Sequence, residues 1–115
     1  MKVIFPLLFS GVVLIVGAEC KAEPGLAIYL DGNSLRQMLT DSDVVSISMA
    51  RGYVAGIADA TNGKTHCIYG NVPASQAAAI AHKFLENHPE WWQHRATDLI
   101  ERALTEAFPC KAVPK

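Results

Sequence analysis

The sequence is short of charge and has almost no excess of either sign: Lys and Arg number 10 and Asp and Glu 11, together 18% of 115 residues. Its basic residues stand singly along the chain, so no stripe follows a phosphate backbone, and nucleic acid is not expected as a partner. The four histidines, His66, His82, His88 and His94, lack HExxH spacing, and no metal or cofactor is expected. No GxSxG elbow marks a serine nucleophile near Ser34, Ser42, Ser46, Ser48 or Ser75. Repeats, low-complexity tracts and long linkers are also missing, which leaves one domain and no sign of an enzyme.

What is present begins with a leader. Lys2 precedes an apolar run from Val3 to Gly17, followed by small and charged residues from Ala18 to Ala22. A membrane-spanning helix needs about 20 apolar residues. This run is shorter and is weakened by Pro6 and Gly11, so it reads as a signal peptide over 1–22, cut after Ala22 or after Cys20. Glu19 before Cys20 argues against a lipid anchor there. No membrane segment is expected after cleavage, and the mature domain is 23–115. Losing Lys2, Lys21 and Glu19 leaves eight basic and ten acidic residues.

Losing Cys20 leaves Cys67 and Cys110, an even number in a compartment where disulfides persist. Their bond would close a long loop and contribute about 4 kcal/mol in the chain-entropy picture. The alternative is a pair of buried free thiols.

Periodicity predicts a small all-α bundle of about four helices. Asn33 is placed to cap a helix over 34–40, after an extended LAIYL run that could equally be a short strand. Asp41, Ser42 and Asp43 introduce a central helix in which Val45, Met49, Tyr53, Ile57 and Ala60 recur every three or four residues, with Gly63 as its stop. Gly52 and Gly56 are expected to give that helix a low surface on which another helix packs closely. Pro73 opens a third helix over 73–87 that buries Ala77, Ile80, Ala81, Phe84 and Leu85. A fourth, over 96–107, buries Ala96, Leu99, Ile100, Ala103, Leu104 and Ala107, with Asp98 and Arg102 spaced to pair.

Two features go beyond packing. Asp59 opposes the dipole near the end of the central helix, which suggests a partner, although an ordinary exposed acid is the plainer reading. Trp91 and Trp92 are adjacent in a turn with Glu90, Gln93 and His94, so one is expected to anchor the turn and the other to be exposed, either as packing or as an interface anchor.

The run RGYVAGIADATNG at 51–63, the Cys67 that follows, KFLENHPEWWQH at 83–94 and DLIERALTEAFPC at 98–110 resemble the Rap/Tai family of type VI secretion immunity proteins. The resemblance spans nearly the whole mature chain, and its family shares cysteines at positions matching Cys67 and Cys110. It implies a periplasmic, mostly helical protein that binds and blocks a peptidoglycan amidase toxin, with a homodimer as a second association. Many relatives carry a further cysteine pair where this chain has Met38 or Leu39 and Ala50. Glu90, Trp91, Trp92, Gln93 and His94 are the first expected contact, and the loop with Lys64 and His66 the second. Gly52, Tyr53, Gly56 and Asp59 are expected to be structural. A small periplasmic acid-stress chaperone with one disulfide is the competing reading.

Overall fold

The computed structural model describes residues 29–111; the expected signal peptide and its expected cleavage site lie outside them. The described chain is all-α: α1 (Gly32–Thr40), α2 (Val44–Thr61), α3 (Ala74–Asn87), a single 3-10 turn (Pro89–Trp91) and α4 (Ala96–Ala107). The expected four-helix bundle with one disulfide is what forms. LAIYL contributes no strand among the described residues; only an isolated bridge between Asp31 and Arg95 follows it.

Local chemistry fixes the helix starts. Asp31, not Asn33, caps α1, its carboxylate accepting the Ser34 N–H at 2.8 Å. That hydrogen bond holds the Asp31 carboxyl below its ordinary value of 3.8. Because the folded value is the lower one, the cap contributes fully above pH 3.8 and is lost as the pH falls through the folded value. Asp43 caps α2 in the same way through the Ser46 N–H at 3.0 Å. α2 ends at Thr61 with Asn62 as its C-cap, and Gly63 follows with φ of 81°, a left-handed conformation in which glycine is unstrained. Pro73 is the cap of α3, one position earlier than expected, and its carbonyl accepts the N–H groups of Gln76 and Ala77.

The core is built from Leu35 of α1, Ala50, Val54 and Ala58 of α2, Ala77, Ala81, Phe84 and Leu85 of α3, and Ala96, Leu99, Ile100, Ala103 and Leu104 of α4. The faces of α3 and α4 are those the sequence implied, except that Ile80 is half-buried, Ala78 is buried as well, and Ala107 is exposed. The face of α2 is not. Val45 and Met49 are 64% and 57% exposed, Ala60 is exposed, and Tyr53 and Ile57 are half-buried. α2 is apolar nearly all round, so spacings of three and four fit two stripes, and the narrower Ala50–Val54–Ala58 stripe allows the closer approach of its neighbours. Gly52 and Gly56 therefore point away from the bundle, and a Cβ at either would meet nothing within 4 Å. Asp59 is exposed and makes no ion pair or side-chain hydrogen bond among the described residues.

The glycine that packing does require is Gly32. A Cβ there would lie 2.5 Å from Leu99 Cδ1, 3.1 Å from the Trp92 carbonyl oxygen and 3.2 Å from Leu85 Cδ2. Leu85 and Leu99 are buried and the Trp92 oxygen belongs to the backbone, so none of the three gives way freely. Gly32→Ala is therefore expected to lower the unfolding free energy by about 1–3 kcal/mol. Gly52→Ala and Gly56→Ala should each raise it by about 0.5–1 kcal/mol, since they add helix propensity without a clash. Urea denaturation of the three variants reads both signs.

Candidate functional site

Two loops flank α4, one tied to its C-terminal end and the other leading into its start, and both are held at their bases. The first is 62–72. Thr61 and Thr65 are fixed around His66, whose ring is fully buried with Nδ1 3.4 Å and 3.3 Å from their hydroxyl oxygens. Gly63 N–H donates to the His66 carbonyl at 2.7 Å, and the Asn62 side-chain oxygen accepts the Ile68 N–H at 2.8 Å. Cys67 is bonded to Cys110 with their Cα atoms 4.7 Å apart, and its N–H donates to the Phe108 carbonyl at 2.9 Å. The loop is thereby tied to the end of α4. His66 was expected to offer its ring to a partner; full burial replaces that with a role inside the loop, while Lys64 beside it is exposed.

The second is the 88–95 turn. Both of its tryptophans are half-buried, so neither is the free aromatic that was expected. The Trp92 indole N–H donates to the Leu85 carbonyl at 2.7 Å, and the Arg36 guanidinium lies 4.1 Å over its ring. The backbone is sewn to the start of α1: Gly32 N–H to the His94 carbonyl at 3.0 Å, Asn33 N–H to that of Trp92 at 2.9 Å, and Ala96 N–H to that of Leu30 at 2.9 Å. Trp91 stacks on His88 with ring centroids 4.3 Å apart, close to Phe84, and receives the Arg102 guanidinium at 5.1 Å on its ring. Adjacent tryptophans both pack because the 3-10 turn sets Trp92 between α3 and α1 and Trp91 between α3 and α4. Glu90, Gln93 and His94 remain exposed. The Glu90 carboxyl is held below its ordinary value, first by its own backbone N–H and then by His88 at 3.2 Å.

Between these loops runs a groove of about 460 Å³, with Thr65 on one wall and Trp91 on the other and a floor of Asp98, Glu101, Arg102, Thr105 and Glu106 from α4. A smaller recess of about 110 Å³ continues past Trp91 to His94 and Asp98. Three carboxylates line the groove against one guanidinium. That guanidinium is engaged by the Trp91 ring, and Asp98 pairs with Arg95 at 3.4 Å rather than with Arg102. Thr105 Oγ1–H is shared between the carbonyls of Thr65 at 2.9 Å and Glu101 at 2.7 Å. This is recognition chemistry, suited to a basic or hydrogen-bond-donating protrusion. Among the described residues no three His, Cys, Asp or Glu side chains converge as a metal ligand set.

Of the two stretches expected to contact a partner, 64–71 brings Thr65 and 90–94 brings Trp91 to this groove; Lys64, His66, Glu90, Trp92 and Gln93 do not line it. The floor was not foreseen. Its residues appeared in the sequence only as the polar side of an amphipathic helix, and nothing in their spacing said that two loops would overhang them.

The family model described as Rap1a immunity proteins matches residues 18–110, most of the chain. The chain belongs to the Rap1a immunity protein family. No curated protein matches it. For a member of an immunity family, the useful property of this groove is that both walls are fixed before any partner arrives, so little ordering entropy is lost on binding.

The disulfide and Trp92 hold those walls by separate means. Cys67→Ser with Cys110→Ser is expected to lower the unfolding free energy by about 4 kcal/mol. Trp92→Phe, which removes one hydrogen bond and keeps most of the ring, should cost about 1 kcal/mol. Chemical denaturation with and without reductant measures both, and reductant should leave the Trp92→Phe decrement unchanged.

Proposed function

We propose that this chain is a periplasmic immunity protein that binds a type VI-secreted peptidoglycan amidase and keeps substrate out of its catalytic groove. The single observation that carries the contact assignment is that the 62–72 loop and the 88–95 turn, distant in sequence, border one groove floored by α4. Membership in the Rap1a family supports the immunity role. No helix of the described residues is long and apolar enough to cross a membrane, which is compatible with action in the periplasm after export.

Occlusion needs no chemistry from the inhibitor. An amidase with a catalytic Cys and His must leave a cleft open to a peptide crosslink. A rigid rim with exposed Glu90, Gln93, His94 and Lys64 can enter or cap that cleft, while basic groups beside it settle onto Glu101 and Glu106. A stable complex of this kind buries about 800 Å² per partner. Trp91 is suited to be the central anchor, since its ring is already fixed by His88 and Arg102 and loses little freedom on binding.

The test is inhibition, by the purified, oxidised chain, of any peptidoglycan amidase encoded beside this gene. Stoichiometric co-elution and inhibition are expected. Trp91→Ala should weaken binding about 30-fold or more, the loss typical of an interface anchor, and Glu101→Lys should weaken it most at low salt. An amidase that neither co-elutes with the chain nor loses activity in its presence contradicts the reading.

A further inference from the structure

Three of the four arginines have partners within the fold. Arg36 pairs with Glu86 at 3.2 Å and lies over the Trp92 ring, Arg95 pairs with Asp98 at 3.4 Å, and Arg102 lies over Trp91. Arg51, exposed on α2, makes no ion pair and covers no aromatic ring among the described residues. Its neighbours three and four positions away on the helix are Ile47, Ser48, Val54 and Ala55, so α2 itself offers it no acid.

The Arg51 side chain lines a recess of about 180 Å³ formed by α1, α2 and α3, and no carboxylate shares that lining. Leu39, Ile47, Ala78 and Ala79 make the recess largely apolar, and Ser75 adds a hydroxyl with no hydrogen-bond partner among the described residues. His82 completes it. The carboxylate one turn further along α3, Glu86, is engaged by Arg36 and lies 3.3 Å from His82 Nε2. The groove over α4, with its three carboxylates, has the opposite sign.

We propose that this recess binds the carboxylate end of a short peptide whose last side chains are small and apolar. A guanidinium matches a carboxylate in shape as well as charge, because its planar fork aims two parallel N–H groups at the two oxygens. An exposed ion pair alone gains little in water, so selectivity must come from apolar contact beside it. Leu39, Ile47 and the two alanines offer that contact to methyl-sized groups. Sites that enclose a whole drug-sized ligand run from about 300 to 1000 Å³. At about 180 Å³ this recess takes the end of a chain and turns away bulky terminal side chains. A carboxylate on the side chain of a folded partner would bring its own backbone against the walls of α2 and α3, whereas a chain end enters with nothing beyond it. Amide hydrolysis, the reaction attributed to the toxin, is one source of such ends. The inference does not rest on that reading, since no residue of the recess lines the groove over α4.

The probe is acetyl-alanyl-alanine with its carboxylate free, titrated into the oxidised chain and followed by backbone amide chemical shifts. Saturable shifts at Arg51, Ser75, Ala78 and Ala79 are expected with a dissociation constant on the order of 1 mM, and none at Glu101 to Glu106. Arg51→Gln should weaken binding about tenfold or more, and so should amidation of the peptide's end, because each removes the charge-assisted hydrogen bonds. Ala79→Leu keeps Arg51 but fills the recess, and is expected to weaken binding by about the same factor with circular dichroism unchanged. The absence of saturable shifts up to about 20 mM peptide overturns the inference. Binding indifferent to Arg51→Gln, to amidation or to Ala79→Leu overturns it as well. If acetate alone moves the same amides with the same affinity, the site attracts any anion and the inference fails.

Discussion

At Gly32 the first helix begins without a side chain, and three other parts of the chain converge on the space that one would fill. Leu99 of α4, Leu85 of α3 and the carbonyl of Trp92 all lie within 3.2 Å of where its Cβ would be. The same approach lets the N–H groups of Gly32 and Asn33 reach the carbonyls of His94 and Trp92. Two otherwise orphaned donors at a helix start are thus satisfied by a turn that would otherwise have no fixed position. From that seam follow the place of Trp92 against α3, the direction of the 3-10 turn, and the presentation of Trp91 over α4.

The opposite wall is fixed by different chemistry. The 62–72 loop packs Ile68 and Val72 against the core and is further held by a covalent tie at Cys67, a buried histidine between two threonine hydroxyls, and the Thr105 hydroxyl on the Thr65 carbonyl. A small domain cannot gain much stability by enlarging its core, so a bond that constrains the unfolded chain is the effective substitute. Here that bond also fixes one border of the groove over α4. The groove is rigid on one side through packing and on the other through sulfur, and α4 is the common base to which both are attached.

Most of the fold was legible because its signals are local. α4 runs over the residues its periodicity implied, α3 begins one residue from the expected start, and parity of cysteines after export gave the pair that the structure joins. What was not legible depended on comparing alternatives across space. α2 offered two apolar stripes of similar spacing, and only the closeness of its neighbours selects Ala50, Val54 and Ala58. Gly52 and Gly56 looked like packing glycines, whereas Gly32, unremarked in the sequence, is the one the packing needs. His66 could not be told from an exposed loop histidine, since its burial comes from the way Thr61 and Thr65 close around it. The two contact stretches were found separately from their polar composition. Their shared groove was invisible because it depends on how the disulfide and the Gly32 seam orient them over α4.

The most direct test of the central claim, that this groove meets the toxin, is hydrogen–deuterium exchange on the oxidised chain with and without the amidase. Slowed exchange is predicted in 62–67, in 89–94 and in the α4 flank that carries Glu101 to Glu106, with the Gly52–Gly56 face of α2 no more protected than in the free protein. Protection confined to α1 and α2, with the two loops exchanging as before, would contradict it.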